Sequence, residues 1–173
     1  NQLERMAAQE KFCPQFHLSL QSGCTRTLKA MNRKYTAEEY SELVDRIRDK
    51  FPQCAITTDV MVGFPDETDE DYRETYENLK KAKLSAVHCF PYSRREKTAA
   101  YYMENQIQPA IKTKRVDEVM KLSEELHKEF LNKNKNTIQE VLVEKKSAKT
   151  GLYGATTRNY IKINIKSDEN IRY

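Results

Sequence analysis

The feature that most constrains this chain is a repeated alternation of short apolar runs with helix-forming segments that carry amino-terminal caps. FHLSLQ (16–21), AITTDVMVGF (55–64) and SAVHCFPYS (85–93) have the composition of strands. Between the first two, Thr36 followed three residues later by Glu39 reads as a capping box, and Tyr40, Leu43, Val44, Ile47 and Phe51 recur at helical spacing. Between the second and third, Thr68 and Asp71 repeat the cap, acidic residues fill the first turn, and Tyr72, Tyr76 and Leu79 form the apolar stripe. Strand, crossover helix and strand in this order predict a parallel sheet, so the fold class is α/β. The second run reads as a strand covered on both faces except where Thr57, Thr58 and Asp59 meet something polar.

After Tyr92 a long basic loop runs to Asn105, and a third helix is predicted from Pro109 to Asn132, with Val119, Leu122, Leu126 and Phe130 inward. The character then changes. IQEVLVE (138–144) and the alternating NYIKINIK (159–166) read as antiparallel strands, with Gly151 and Gly154 in a turn region between them. The expected organisation is a partial parallel domain over 1–134 and a small β module over 135–173.

Charge separates the same two regions. The chain has 30 Lys plus Arg and 26 Asp plus Glu; residues 1–134 hold 22 of each sign, which leaves 8 basic against 4 acidic for 135–173. A basic β module is either a solvated surface or a nucleic-acid contact, since cations near phosphates dominate such binding. No stretch approaches the roughly 18 apolar residues of a membrane span, and the opening NQLERMAAQEKF is amphipathic without a signal-peptide apolar region. A cytoplasmic protein without a membrane partner is expected. Cys13, Cys24, Cys54 and Cys89 are 11, 30 and 35 residues apart, too far for a zinc ribbon, a redox dithiol or a cluster motif, so reduced, mostly buried thiols and no metal ligands are expected. With 4 glycines, none clustered, the chain lacks a phosphate-cradling loop.

In parallel sheets, ligands bind beyond the carboxyl ends of the strands. Three polar clusters occupy those ends: Gln21-Ser22-Gly23, Gly63-Phe64-Pro65-Asp66-Glu67, and Tyr92-Ser93-Arg94-Arg95. They are expected to converge on one cleft. Asp59 lies inside an apolar run, where a carboxylate needs compensation: an ion pair with Arg or Lys on a neighbouring strand, or a ligand's hydroxyls or amine. Gly63 permits close approach or an unusual turn, or simply ends the strand. His17, His88 and His127 are too scattered for a metal site or catalytic dyad and are expected to be structural. Arg94, Arg95 and Lys97 form a basic loop where an anionic substrate reaches the cleft, or a solvated one. Composition and spacing do not give the reaction.

HLSLQSGCTRTLKAMNRKYT, TDVMVGFPDETDEDYRET and FPYSRREKTAA, in that order, resemble the tRNA methylthiotransferases of the radical S-adenosylmethionine superfamily over about residues 16–145. HLSLQSG, ITTDV and FPYS are most similar to the branch acting on threonylcarbamoyladenosine beside the anticodon. The resemblance implies the second half of a (β/α) barrel followed by the start of an RNA-gripping β domain of the TRAM type. A closed eight-stranded barrel typically needs about 250 residues, which agrees with a partial one.

The resemblance further implies S-adenosylmethionine and 4Fe-4S clusters as cofactors of the intact enzyme, and tRNA as its partner. Gln21 and Ser22 match a polar pair near S-adenosylmethionine; Asp59, Val62 and Gly63 match the segment lining its ribose and adenine; Tyr92 and Ser93 match the next strand end. Arg94, Arg95 and Lys97, with Lys145 and Lys146 of the β module, are the expected RNA contacts. The family's CxxxCxxC motif has no counterpart here, so no catalytic residue is assigned, no cofactor is expected on the chain alone, and the chain alone is expected to be inactive. Asp66 stands where the family usually has glycine, and Lys97-Thr98-Ala99-Ala100 replaces a Gly-Thr-Pro-Ala run. A non-catalytic RNA-binding scaffold is the rival reading, ahead of a sugar-phosphate barrel enzyme. Open strand edges predict pairing with a second copy.

Overall fold

A computed structural model describes residues 2–171. Its main body is a parallel sheet of three strands in the order β1 (Gln15–His17), β2 (Ala55–Val62), β3 (Ala86–Pro91). The connections carry α2 (Thr25–Ala30) and α3 (Ala37–Lys50), then α4 (Asp69–Ala82), and β3 is followed by α5 (Pro109–Asn134). Short α1 (Gln2–Ala7) lies against α3. The strands are added in one direction, and residues of α3, α4 and α5 share one core against them, as the wall of a parallel barrel requires.

The two predicted caps form. The Thr36 hydroxyl accepts the Glu39 N–H at 3.1 Å while Glu39 accepts the Thr36 N–H at 2.8 Å. Thr68 and Asp71 repeat the exchange at 3.2 and 2.7 Å. On the helix side, Ile56, Val60, Val62, Val87 and Leu79 pack with Val44, Ile47, Val119, Leu122 and Leu126.

Several expectations are corrected. β2 is covered on one face only: Ile56, Thr58, Val60 and Val62 are buried, whereas Thr57, Asp59 and Met61 are half-exposed on a side that no helix covers. The first strand is regular only to His17, because the Thr58 hydroxyl enters the ladder. It donates to Leu18 O at 2.5 Å and accepts the Leu20 N–H at 2.9 Å. Pairing resumes in a single bridge between Gln21 and Val60. Leu43 is 37% exposed rather than core. Phe51 is the C-cap of α3 and packs with Phe12 and Phe16 at ring distances of 5.3 and 5.4 Å. Thr75, rather than Tyr76, joins Leu79 in the fully buried stripe of α4.

The second region forms an antiparallel sheet of β4 (Val141–Lys146), β5 (Tyr153–Thr157) and β6 (Lys162–Ile165), with β5 in the middle. Gly154, predicted in a turn, belongs to that central strand, and Asn159 and Tyr160, predicted in a strand, form the β5–β6 turn. The turn docks on the main body. Asn159, 3% exposed, donates to Gln53 O at 2.7 Å and to Asn134 Oδ1 at 3.0 Å. Arg158 donates to Phe12 O at 3.0 Å and to Glu10 O, and pairs with Glu140 at 2.9 Å. Phe12 and Gln53 precede β1 and β2, so the docking lies at the amino ends of the parallel strands.

Candidate functional site

At the opposite, carboxyl ends, backbone bonds hold the predicted clusters side by side. The Gln21 N–H donates to Asp59 O at 2.8 Å, the Met61 N–H to Gln21 O at 2.8 Å, and the Tyr92 N–H to Val62 O at 2.8 Å. The chain leaves these strands through left-handed residues: Gln21 at φ 69°, Gly63 at 73° and Asp66 at 66°. At Gly63 glycine has two reasons to be present, since an added Cβ would also lie 2.2 Å from Lys112 Cγ. Asp66 keeps a turn that glycine would allow, and Asn105 ties it in place: its amide donates to Asp66 Oδ1 at 2.5 Å and its carbonyl accepts the Asp66 N–H at 3.0 Å.

A buried ion pair supports the turn from behind. Glu67 Oε1 accepts the Gly63 N–H at 3.0 Å and Arg115 Nη1 at 2.7 Å. Arg115 also reaches Asp69 at 2.7 Å and lies over the Tyr72 ring at 5.0 Å. Burial pushes the Glu67 carboxyl upward, opposed by the Gly63 N–H and the Arg115 charge. Arg115 was missed in the sequence because a cation on a helix reads as solvated; only its apolar neighbours at helical spacing hint otherwise.

The predicted site residues do not all face the same way. Gln21 and Asp59 lie on the open face or its rim, and Ser93 is exposed beyond β3. Ser22 is buried toward the helices, where its hydroxyl meets Thr75 Oγ1 at 3.1 Å and accepts the Cys24 N–H at 3.2 Å. Val62 is core, so only its backbone belongs to the rim. Tyr92 is buried edge-on to Phe64 at 5.4 Å, and its hydroxyl has no hydrogen-bond partner among the described residues.

Asp59 makes no ion pair with Arg or Lys among the described residues. Its Oδ2 instead accepts from His17 Nε2 at 3.2 Å and Ser19 Oγ at 3.4 Å. His88 is the register partner of Asp59 across the strands, and its ring lies 6.4 Å from that of His17. These two histidines, expected to be structural, are exposed on the open face. Their signal was positional: His17, Ser19 and Gln21 share a strand parity, as do Thr57, Asp59 and Met61. His127 does fill a structural role, with Nδ1 3.0 Å from Ser85 O.

The basic residues fall into two groups. Arg94 is braced in its loop, donating to Tyr101 O at 2.9 Å and lying 4.3 Å over that ring, with Arg95 and Lys97 exposed beside it. Lys145 and Lys146 lie at the end of β4 distant from the docked turn, Lys146 5.1 Å over the Tyr153 ring. The eight residues of β2, about 26 Å, separate the loop's end of the sheet from the docking end.

Burial raises the thiols of Cys24, Cys54 and Cys89 to about 11, 11 and 12, so they stay protonated. Among the described residues, no three of His, Cys, Asp and Glu gather in a metal-binding arrangement. No helix is long and apolar enough to cross a membrane.

Three parallel strands with helices outside, a half-open polar inner face and left-handed exits at the strand ends form part of a parallel α/β wall. The Radical SAM superfamily profile matches residues 1–79. The fold is similar to that of coproporphyrinogen III oxidase (HemN) from Escherichia coli, a radical SAM enzyme, with TM-score 0.58 and 16% identity over 72% of this chain and 29% of that one. The chain is 39% identical to the tRNA-2-methylthio-N(6)-dimethylallyladenosine synthase of Alkaliphilus oremlandii, over 98% of its own length and 36% of that protein. It is 36% identical to the threonylcarbamoyladenosine tRNA methylthiotransferase MtaB of Bacillus subtilis (98% and 38%), and 42% identical to MtaB of Aquifex aeolicus (93% and 38%). It thus spans a little over a third of these relatives. The chain is similar to these tRNA methylthiotransferases over nearly all of its own length.

Proposed function

We propose that this chain is the wall of a tRNA methylthiotransferase, which replaces a base C–H with a methylthio group on an N6-modified adenosine next to the anticodon, in the cytoplasm. The observation that carries this reading is 39% identity extending over 98% of the chain, including both sheets. Relatives of both the dimethylallyl and the threonylcarbamoyl branch are similar to it; HLSLQSG, ITTDV and FPYS favour the threonylcarbamoyl substrate.

When bound, S-adenosylmethionine and iron–sulfur clusters supply the radical chemistry and the methyl group. The unbonded Tyr92 hydroxyl, the Asp59 carboxylate on the open face and the left-handed exit at Gly63 suit an adenosine-bearing ligand. The four cysteines do not gather with one another or with other ligating residues among the described residues, so the part of this chain is to bind and orient rather than to ligate iron. Gln21, Asp59, Ser93 and the backbone at Val62 and Gly63 face the cofactor, with Tyr92 behind them and Ser22 bracing the loop. Residues 1–134 act as the barrel part and 135–173 as the start of a TRAM-like grip.

Arg94, Arg95 and Lys97 approach RNA at the strand ends, and Lys145 and Lys146 approach it from the second sheet. The free edges of β1 and β3 support pairing with further strands, from a longer chain or a second copy. The test is mass spectrometry of tRNA nucleosides from cells lacking the gene, with and without the whole protein restored. Methylthio-adenosine that returns with the protein supports the reading. tRNA that is bound but left unmodified favours the non-catalytic scaffold.

A further inference from the structure

The open face of the parallel sheet carries a row of hydrogen bonds leading inward from the strand end. Gln21 Nε2 donates to Ser19 Oγ at 3.2 Å, Ser19 Oγ donates to Asp59 Oδ2 at 3.4 Å, and His17 Nε2 lies 3.2 Å from the same oxygen. A carboxylate only accepts, so Nε2 of His17 carries the hydrogen, and Nδ1 lies 3.0 Å from Thr57 Oγ1. Thr57 thus holds the second ring nitrogen, and the His88 ring lies 6.4 Å away. Both donors to Asp59 use Oδ2, and no donor from the described residues reaches Oδ1.

We propose that His17 is a positioning residue which holds the Asp59 carboxylate so that its free oxygen accepts an N–H or O–H from an adenosine group inside the barrel. This rests on the function proposed above. Adenosine offers both donors, in its amino group and its ribose hydroxyls, and an N6-substituted adenosine keeps one N–H. Without the His17 bond, Asp59 has only the longer Ser19 contact, and its carboxylate is free to rotate toward solvent. Two sources present this chemistry, the cofactor and the substrate base.

The test measures binding of S-adenosylmethionine and, separately, of an anticodon stem-loop RNA bearing the N6-modified adenosine, by calorimetry on the whole protein. Wild type is compared with His17→Ala, His17→Gln and Asp59→Asn, with thermal melting alongside. His17→Ala and Asp59→Asn are expected to weaken the same ligand by about tenfold. His17→Gln, whose amide N–H reaches the same oxygen, should recover most of the loss. Melting temperatures should stay near wild type, because half-exposed pairs add little to stability. A loss confined to S-adenosylmethionine assigns the site to the cofactor, and one confined to the RNA assigns it to the substrate base. His17→Ala with wild-type affinity for both ligands, or His17→Gln no better than His17→Ala, overturns the inference alone. Wild type that binds neither ligand overturns the proposed function and this inference with it.

Discussion

Arg115 on α5 and Gly63 at the end of β2 are joined through one oxygen: Glu67 Oε1 accepts from both, at 2.7 and 3.0 Å. A helix on the outside of the sheet therefore holds the turn that forms the rim of the candidate site. Replacing Arg115 with Met should leave Glu67 buried without its counter-charge and lower stability by about 3–5 kcal/mol. Urea unfolding measures this. A loss below about 1 kcal/mol, the range of a surface pair, would mean that Arg115 does not support the turn.

Gly63→Ala places a Cβ at φ 73° and 2.2 Å from Lys112 Cγ. The left-handed conformation alone costs about 1–2 kcal/mol, and the clash adds to it. Adding Lys112→Ala should recover the steric part and leave the backbone part. Equal stability of the single and double variants, by chemical denaturation, would show that Lys112 simply moves aside.

The Arg26 guanidinium beside Asp71 holds that carboxyl well below the usual carboxylate range. Such a group contributes its full stability above its unfolded value of about 4, and loses it as the pH falls toward the lower folded value. Glu67, pushed upward by burial, has the opposite sign, with its contribution present below about 4 and lost as the pH rises through the folded value. Asp71→Asn should therefore lose less stability than wild type between pH 7 and pH 3. Parallel losses in urea titrations at the two pH values would remove Asp71 from the acid response.

Arg158 and Asn159 fasten the antiparallel sheet to the loops before β1 and β2. Arg158→Ala with Asn159→Ala should raise amide hydrogen exchange across β4, β5 and β6 while the amides of β2 and α5 keep their protection. Loss of protection in both sheets together would mean that they unfold as one unit.

The caps at Thr36 and Thr68, the helices α3, α4 and α5, and the parallel order of the strands were all legible in the sequence, because caps and apolar periodicity act over a few residues. The strand-end clusters were legible for the same reason. The break in the first strand was not, since it comes from the hydroxyl of Thr58, forty residues away from Leu18. Gly154 was placed in a turn because glycine reads as a breaker, whereas pairing with β4 and β6 holds it in a central strand.

By itself, the sequence determined the α/β class, the capped helices and the motif set that connects this chain to the tRNA methylthiotransferases. Only the tertiary structure decided which way each site residue points. Ser22 turns into the helix layer, Asp59 and His17 meet on the open face, and Arg115 is drawn inward by Glu67. These outcomes depend on contacts between residues far apart in the chain, where burial and hydrogen bonding override what the residue type or its neighbours suggest.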